Sequence, residues 1–132
     1  MIVVNSKEEL IELINQRIKE QGNNCNLNDI DVSKITDMSY LFLESDFNGD
    51  ISEWDTSNVE DMEYMFSGSK FTGDISKWDV SNVKNMKEMF YESQFDGDIS
   101  KWDVNNVETM EDIFTRAPLG EHEPEWWFRH IE

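Results

Sequence analysis

Large apolar residues return along the chain every 24 positions. Phe47 to Lys70 reads FNGDISEWDTSNVEDMEYMFSGSK, Phe71 to Gln94 reads FTGDISKWDVSNVKNMKEMFYESQ, and Phe95 to Pro118 reads FDGDISKWDVNNVETMEDIFTRAP, all without a gap. A weaker copy, Asn23 to Asp46, precedes them, and Leu119 and Trp126 fall where a further half-copy would place its Phe and Trp. Shifted by one period, Phe47 lands on Phe71 and Phe95, Trp54 on Trp78 and Trp102, and Met62 on Met38, Met86 and Met110. Ile51, Val59 and Phe66 head further columns of the same kind. A unit of this length cannot close a core alone, so each must bury its apolar edge on its neighbours.

Within a unit, Phe47, Gly49 and Ile51 alternate with Asn48, Asp50 and Ser52, which predicts a short strand with one face inward. Val59, Met62, Met65 and Phe66 then recur at helical spacing, and Ser57-Asn58-Val59-Glu60 has the form of a capping box. Each unit is expected to be a strand, a Trp-bearing corner and a short helix. Four such units occupy residues 23–46, 47–70, 71–94 and 95–118. Residues 1–22 are expected to cover one end, with Ser6-Lys7-Glu8-Glu9 as a capping box, Leu10, Ile11, Leu13, Ile14 and Ile18 as the apolar stripe, and Gly22 as the stop. Pro124, Trp126, Trp127 and Phe128, in the segment 119–132, form an aromatic plug for the other end. The expected whole is one domain, a small capped α/β solenoid.

Charge narrows the partners. The 132 residues hold 29 acidic against 11 basic side chains, a net charge of −18 at pH 7, so nucleic-acid phosphates and anionic membranes would be repelled. The single cysteine, Cys25, excludes an internal disulfide and a cysteine-based zinc site. It takes the place of the repeat glycine, points inward, and reads as an inert small hydrophobe. No signal peptide is visible and no apolar run approaches a bilayer span, so a cytoplasmic protein is expected; the sequence does not fix the oligomeric state, and a monomer is favoured.

The core G-D-I-S-x-W-D-x-S-N-V-x-x-M-x-x-M-F resembles the BspA-like leucine-rich repeat family, most closely its branch of repeats of unknown function in mycoplasma and gut-bacterial proteins. The resemblance covers residues 23–118, and LNDIDVSKITDMSYLF and the closing PEWW look like that family's cover segments. It implies a leucine-rich-repeat solenoid with strands on one face and helices on the other, and many relatives are long surface adhesion proteins. The family has no shared enzymatic residues to carry over.

Several constellations have both a bland and a functional reading. Asp50, Asp74 and Asp98 form a ladder on the expected strand face, joined by Asp96. Carboxylates in such a row cap backbone N–H groups, bridge calcium, or meet a basic ligand. A second column, Asp31, Asp55, Asp79 and Asp103, with Ser33, Ser57, Ser81 and Asn105 two residues on, reads as repeated Asx turns. The Met and Trp columns read as core rather than as a ligand groove. Glu60, Asp61, Glu63, Glu88, Glu92, Glu108, Glu111 and Asp112, interrupted by Lys84 and Lys87, line the expected helix face. His122 and His130 lack the spacing of a metal site, and no catalytic triad, phosphate loop or zinc motif occurs.

The reading is a non-enzymatic module, without metal or cofactor, that binds a protein partner with a basic surface. Asn48, Asp50, Thr72, Asp74, Asp96 and Asp98 are the first choice of contact surface. The helix face (Glu60, Glu63, Glu88, Glu92, Glu108, Glu111 and Asp112) is the alternative. Two other functions fit the composition: an acidic mimic of nucleic acid that inhibits a DNA- or RNA-processing or defence enzyme, and a calcium-stabilised adhesin fragment.

Overall fold

Apolar rows 24 residues apart can be buried by setting one unit on the next. The computed structural model, which describes residues 1–130, does this with turns. Phe42, Phe66, Phe90 and Phe114 stack in one row, with centroids 5.6, 5.7 and 6.1 Å apart. Phe47, Phe71 and Phe95 stack in a second, at 6.3 and 6.2 Å. The rows meet where one unit passes into the next, as at Phe66 and Phe71, 4.9 Å apart. Each buried ring stabilises the fold by roughly 1.5–3 kcal/mol. The indoles add direction. Trp54, Trp78 and Trp102 are buried, and their Nε1–H groups donate to the carbonyls of Leu27, Ile51 and Ile75 in the preceding units, at 2.9, 3.0 and 3.0 Å. Asn58, Asn82 and Asn106 do likewise at the surface, donating to Ser33, Ser57 and Ser81 carbonyls.

The expected leucine-rich-repeat solenoid, with a strand and a helix in each unit, is not formed. Among the described residues the strands are β1 (Ile2–Val3) and β2 (Ile30–Asp31), paired in parallel as one small sheet. The helices are α1 (Lys7–Gln21), a 3-10 turn at Pro118–Glu121, and α2 (Glu125–His130). The repeat units are otherwise built from turns joined by isolated parallel bridges, Asp37 to Asp61, Asp61 to Asn85 and Asn85 to Thr109.

The spacing that predicted a helix has another cause. Met65, Ser67 and Ser69 donate their N–H groups to the carbonyls of Met62, Tyr64 and Phe66, giving three successive turns with i to i+3 bonds. Tyr64 (φ 57°) and Gly68 (φ 65°) are left-handed, as the third position of a type II turn requires, and an α-helix cannot pass through them. The alternate N–H groups, of Met62, Tyr64, Phe66 and Gly68, leave the unit and donate to Asn85, Lys87, Met89 and Tyr91 carbonyls in the next. Apolar side chains at i, i+3 and i+4 thus face the core without a helix.

The strand expected at Phe47–Ser52 fails for a different reason. Burial does alternate, with Phe47, Gly49 and Ile51 inside and Asn48 and Asp50 outside. Only the first pair of units is bridged here, at Asn26 and Asp50. Downstream, the Asn48 side chain, rather than a backbone carbonyl, accepts the Thr72 N–H at 2.8 Å. The phenyl rings at this corner repeat at 6.2–6.3 Å, and a Cβ at Gly73 would stand 3.3 Å from the Gly49 carbonyl oxygen. The later units meet here through rings and glycines, while their ladder of backbone hydrogen bonds lies along the turn run. Each ring also folds back over the glycine two residues on: a Cβ at Gly73 or Gly97 would stand 2.8 or 2.7 Å from the ring of Phe71 or Phe95.

Both ends carry helices, α1 and α2, but Ile11 of the expected stripe and Phe128 of the expected plug are exposed. Ser6 Oγ accepts the Glu9 N–H at 3.1 Å, while the Glu9 carboxylate reaches the N–H of Asn5 rather than that of Ser6. Leu10 and Ile14 enter the core, and Gly22 (φ 89°) ends α1 with its N–H on the Ile18 carbonyl. At the other end Trp126 of α2 takes the fourth indole position, donating to the Ile99 carbonyl at 2.8 Å.

Candidate functional site

Aspartate followed two residues later by serine is a local turn signal, because the carboxylate can accept the N–H two positions on. The structure uses it repeatedly. Asp50, Asp74 and Asp98 each accept the N–H of Ser52, Ser76 and Ser100 at 2.9 Å, and the Ser52 and Ser100 hydroxyls donate to the same oxygens at 2.7 and 2.6 Å. The serine hydroxyls first, and then the serine N–H groups, hold all three carboxyls below their ordinary 3.8. The ladder is thus a set of exposed turn caps, and at Asp50 the Asn28 side chain also lowers the carboxyl.

The remaining members of the first candidate surface lie beside it. Asn48 Oδ1 accepts both the N–H and the hydroxyl of Thr72, at 2.8 and 3.2 Å. Asp96 lies 2.8 Å from Nε2 of His122. Asn48, Asp50, Thr72, Asp74, Asp96 and Asp98 are all exposed. The Asx turns of the second column also form: Asp31, Asp55, Asp79 and Asp103 accept the N–H groups of Ser33, Ser57, Ser81 and Asn105.

The alternative surface is not a helix face but the outer side of the turn run, and most of its acids are already engaged. Glu60 pairs with Lys84 at 3.7 Å and Glu92 with Arg116 at 3.6 Å. Glu63 and Glu88 accept the hydroxyls of Tyr40 and Tyr64 at 2.9 and 3.0 Å, and Asp112 accepts the Thr115 hydroxyl. Glu108 and Glu111 make no ion pair among the described residues. Half-buried Asp61 is pushed above its ordinary value, by burial first and then by the charges of Asp37 and Glu63.

Sequence reasoning missed one cluster here. Tyr40 and Tyr64 stack with centroids 5.0 Å apart, and the ammonium groups of Lys7 and Lys87 each lie 5.9 Å from one of the rings. Its signal was present, since the two tyrosines stand one period apart. Cys25 is buried, and burial raises its thiol above the ordinary value. His130 places Nε2 at 2.8 Å from the Val107 carbonyl. Among the described residues no three His, Cys, Asp or Glu side chains converge as a metal-ligand group. No described helix is long and apolar enough to cross a membrane.

No curated protein and no solved structure matches the chain. The 24-residue units, the cap that opens them and the indole that closes them fall almost wholly within residues 11–127, which match the family model described as "Mycoplasma protein of unknown function, DUF285", and the chain belongs to that family.

Proposed function

We propose that the chain is a non-enzymatic module that binds a protein partner through the surface of Asn48, Asp50, Thr72, Asp74, Asp96 and Asp98. One observation carries this reading. Asp50, Asp74 and Asp98 recur at one position in successive units, stay exposed, and make no ion pair among the described residues. Each is oriented by its serine, so little side-chain freedom is lost on binding. Lysine and arginine side chains of a partner would meet carboxylates already set and charged. The alternative surface offers less, because Glu60, Glu63, Glu88 and Glu92 are already engaged by the chain's own lysine, arginine and tyrosines, which leaves Glu108 and Glu111.

The test neutralises the row without removing the caps. In the triple variant Asp50→Asn, Asp74→Asn, Asp98→Asn, an amide oxygen still accepts each serine N–H. Affinity capture from source-cell lysate should retain a basic partner on the original protein and lose it on the variant, with circular dichroism unchanged. Equal retention by both proteins would reject this surface.

A further inference from the structure

β1 pairs with β2 on one side only. The N–H groups of Ile2 and Val4 donate to the carbonyls of Asp29 and Asp31 at 2.8 and 3.3 Å, so both residues bond towards β2. In such a ladder alternate residues of a strand bond to the same neighbour. The N–H and carbonyl of Val3 therefore point away from β2, and neither has a partner among the described residues. The side chains here are as open as the backbone. Met1, Ile2 and Val3 are 82, 44 and 46% exposed, and no other stretch of the described residues exposes large apolar side chains in succession. An open groove of about 450 Å³ has walls that include Ile2 and Val3 of β1 and Glu9, Glu12 and Leu13 of α1.

We propose that two copies of the chain pair at this edge, β1 against β1 in antiparallel, about a twofold axis at Val3. A residue set opposite its own copy in an antiparallel pair exchanges both N–H···O bonds with it, and Val3 has one free donor and one free acceptor to exchange. The contact is then isologous and closes at two copies. The two-stranded sheet of each copy becomes half of a four-stranded one. Two backbone bonds are few, so most of the driving force is the shared burial of Met1, Ile2 and Val3 from both copies.

Charge makes a second copy the occupant. Residues 1–22 carry three basic against four acidic side chains, whereas the whole chain carries −18. The acid lies in the repeats, so two copies repel each other least at this end, and a basic partner is drawn to the repeats instead. Glu9 and Glu12 still line the groove, so some repulsion opposes pairing. The monomer favoured from sequence gives way here to a reversible pair. The inference goes beyond the protein-binding reading and does not need it, because the aspartate row lies in other units of the chain.

Sedimentation velocity on the full chain, from about 10 µM to about 1 mM, tests it. The mass should rise from one copy to two and no further. Raising NaCl from about 0.05 to 0.5 M should tighten pairing about threefold or more, because it shortens the reach of the repulsion between copies. Amide exchange at Val3 should slow at least about tenfold as the pair forms, while Ile2 and Val4, already bonded, change little. Val3→Pro removes the free N–H without touching a bond to β2, and Val3→Glu sets like charges opposite each other. Each should weaken pairing about tenfold or more with circular dichroism unchanged. The triple asparagine variant of the aspartate row should pair at least as well as the original protein. A single copy at every concentration, assemblies larger than two, weakening by salt, unchanged exchange at Val3, or pairing kept by either folded Val3 variant would each overturn the proposal. None of these outcomes touches capture of a partner by the aspartate row.

Discussion

Gly73 and Gly68 occupy the same kind of unit for unrelated reasons. At Gly73 the Phe71 ring lies where a Cβ would go, 2.8 Å away, and the ring is itself stacked between Phe47 and Phe95. At Gly68 the constraint is the backbone, whose φ of 65° belongs to the left-handed region. The other left-handed residues of the two turn columns carry side chains: Tyr40, Tyr64, Glu88 and Asp112 in one, Glu44, Glu92 and Arg116 in the other. Bonds between the units hold these conformations against a strain of roughly 1–2 kcal/mol per residue. Gly68→Ala should therefore cost only about 1 kcal/mol, as its neighbours Glu44, Glu92 and Arg116 already tolerate the same fold. Gly73→Ala should cost more, about 2–3 kcal/mol, because a packed ring must move. Urea denaturation of the two variants checks the order, and equal costs would contradict the ring contact.

Among the elements, the bridge row pairs successive units backbone to backbone. Its members run Asp37, Asp61, Asn85, Thr109, so carboxylates give way to neutral groups after two positions. Asp37 is partnered by Lys7 at 3.6 Å, whereas Asp61 feels Asp37 and Glu63. The Asp61 carboxyl holds its proton more tightly in the folded chain than in the unfolded one. Stability from this group is therefore present below 3.8 and is lost as pH rises through the raised value. Asp61→Asn keeps the oxygen that accepts the Glu63 N–H at 2.9 Å and removes the charge. It should stabilise the protein at pH 7 by up to about 1 kcal/mol and make no difference near pH 3. Denaturation midpoints at the two pH values check this, and a gain that persisted at low pH would point away from charge.

How far these elements can be read from sequence depends on which interaction sets them. The Phe, Trp and Met columns were legible because burial depends on side-chain type, which the period repeats. The aspartate caps were legible because Asp50 and Ser52 interact over two residues. The turn run was not. Met62, Met65 and Phe66 have the spacing of a helix, and only the bonds of Tyr64 and Gly68 to the next unit decide against one. The strand at Phe47–Ser52 failed because the Thr72 N–H goes to the Asn48 side chain rather than to a backbone carbonyl, a choice made between units.

At the scale of the molecule, each 24-residue unit presents the same rows to both neighbours, so stability should depend on adjacent pairs. Removing residues 71–94 joins Lys70 to Phe95 and restores every row one member shorter. The shortened chain should keep its near-ultraviolet circular dichroism and unfold in one transition at a lower temperature. A shortened chain without fixed aromatic signals would show that the units are not interchangeable.

The ring repeat of the stack also sets a gauge for whatever lies along the aspartate row. An extended chain repeats its same-side groups every ~6.6 Å, close to the 6.2–6.3 Å at which Phe47, Phe71 and Phe95 recur beneath those carboxylates. A helix advances about 5.4 Å per turn and falls out of step by nearly 2 Å over two units. The partner proposed for the aspartate row would keep step with it as a stretched segment running parallel to the pile, with a positive charge at every other residue.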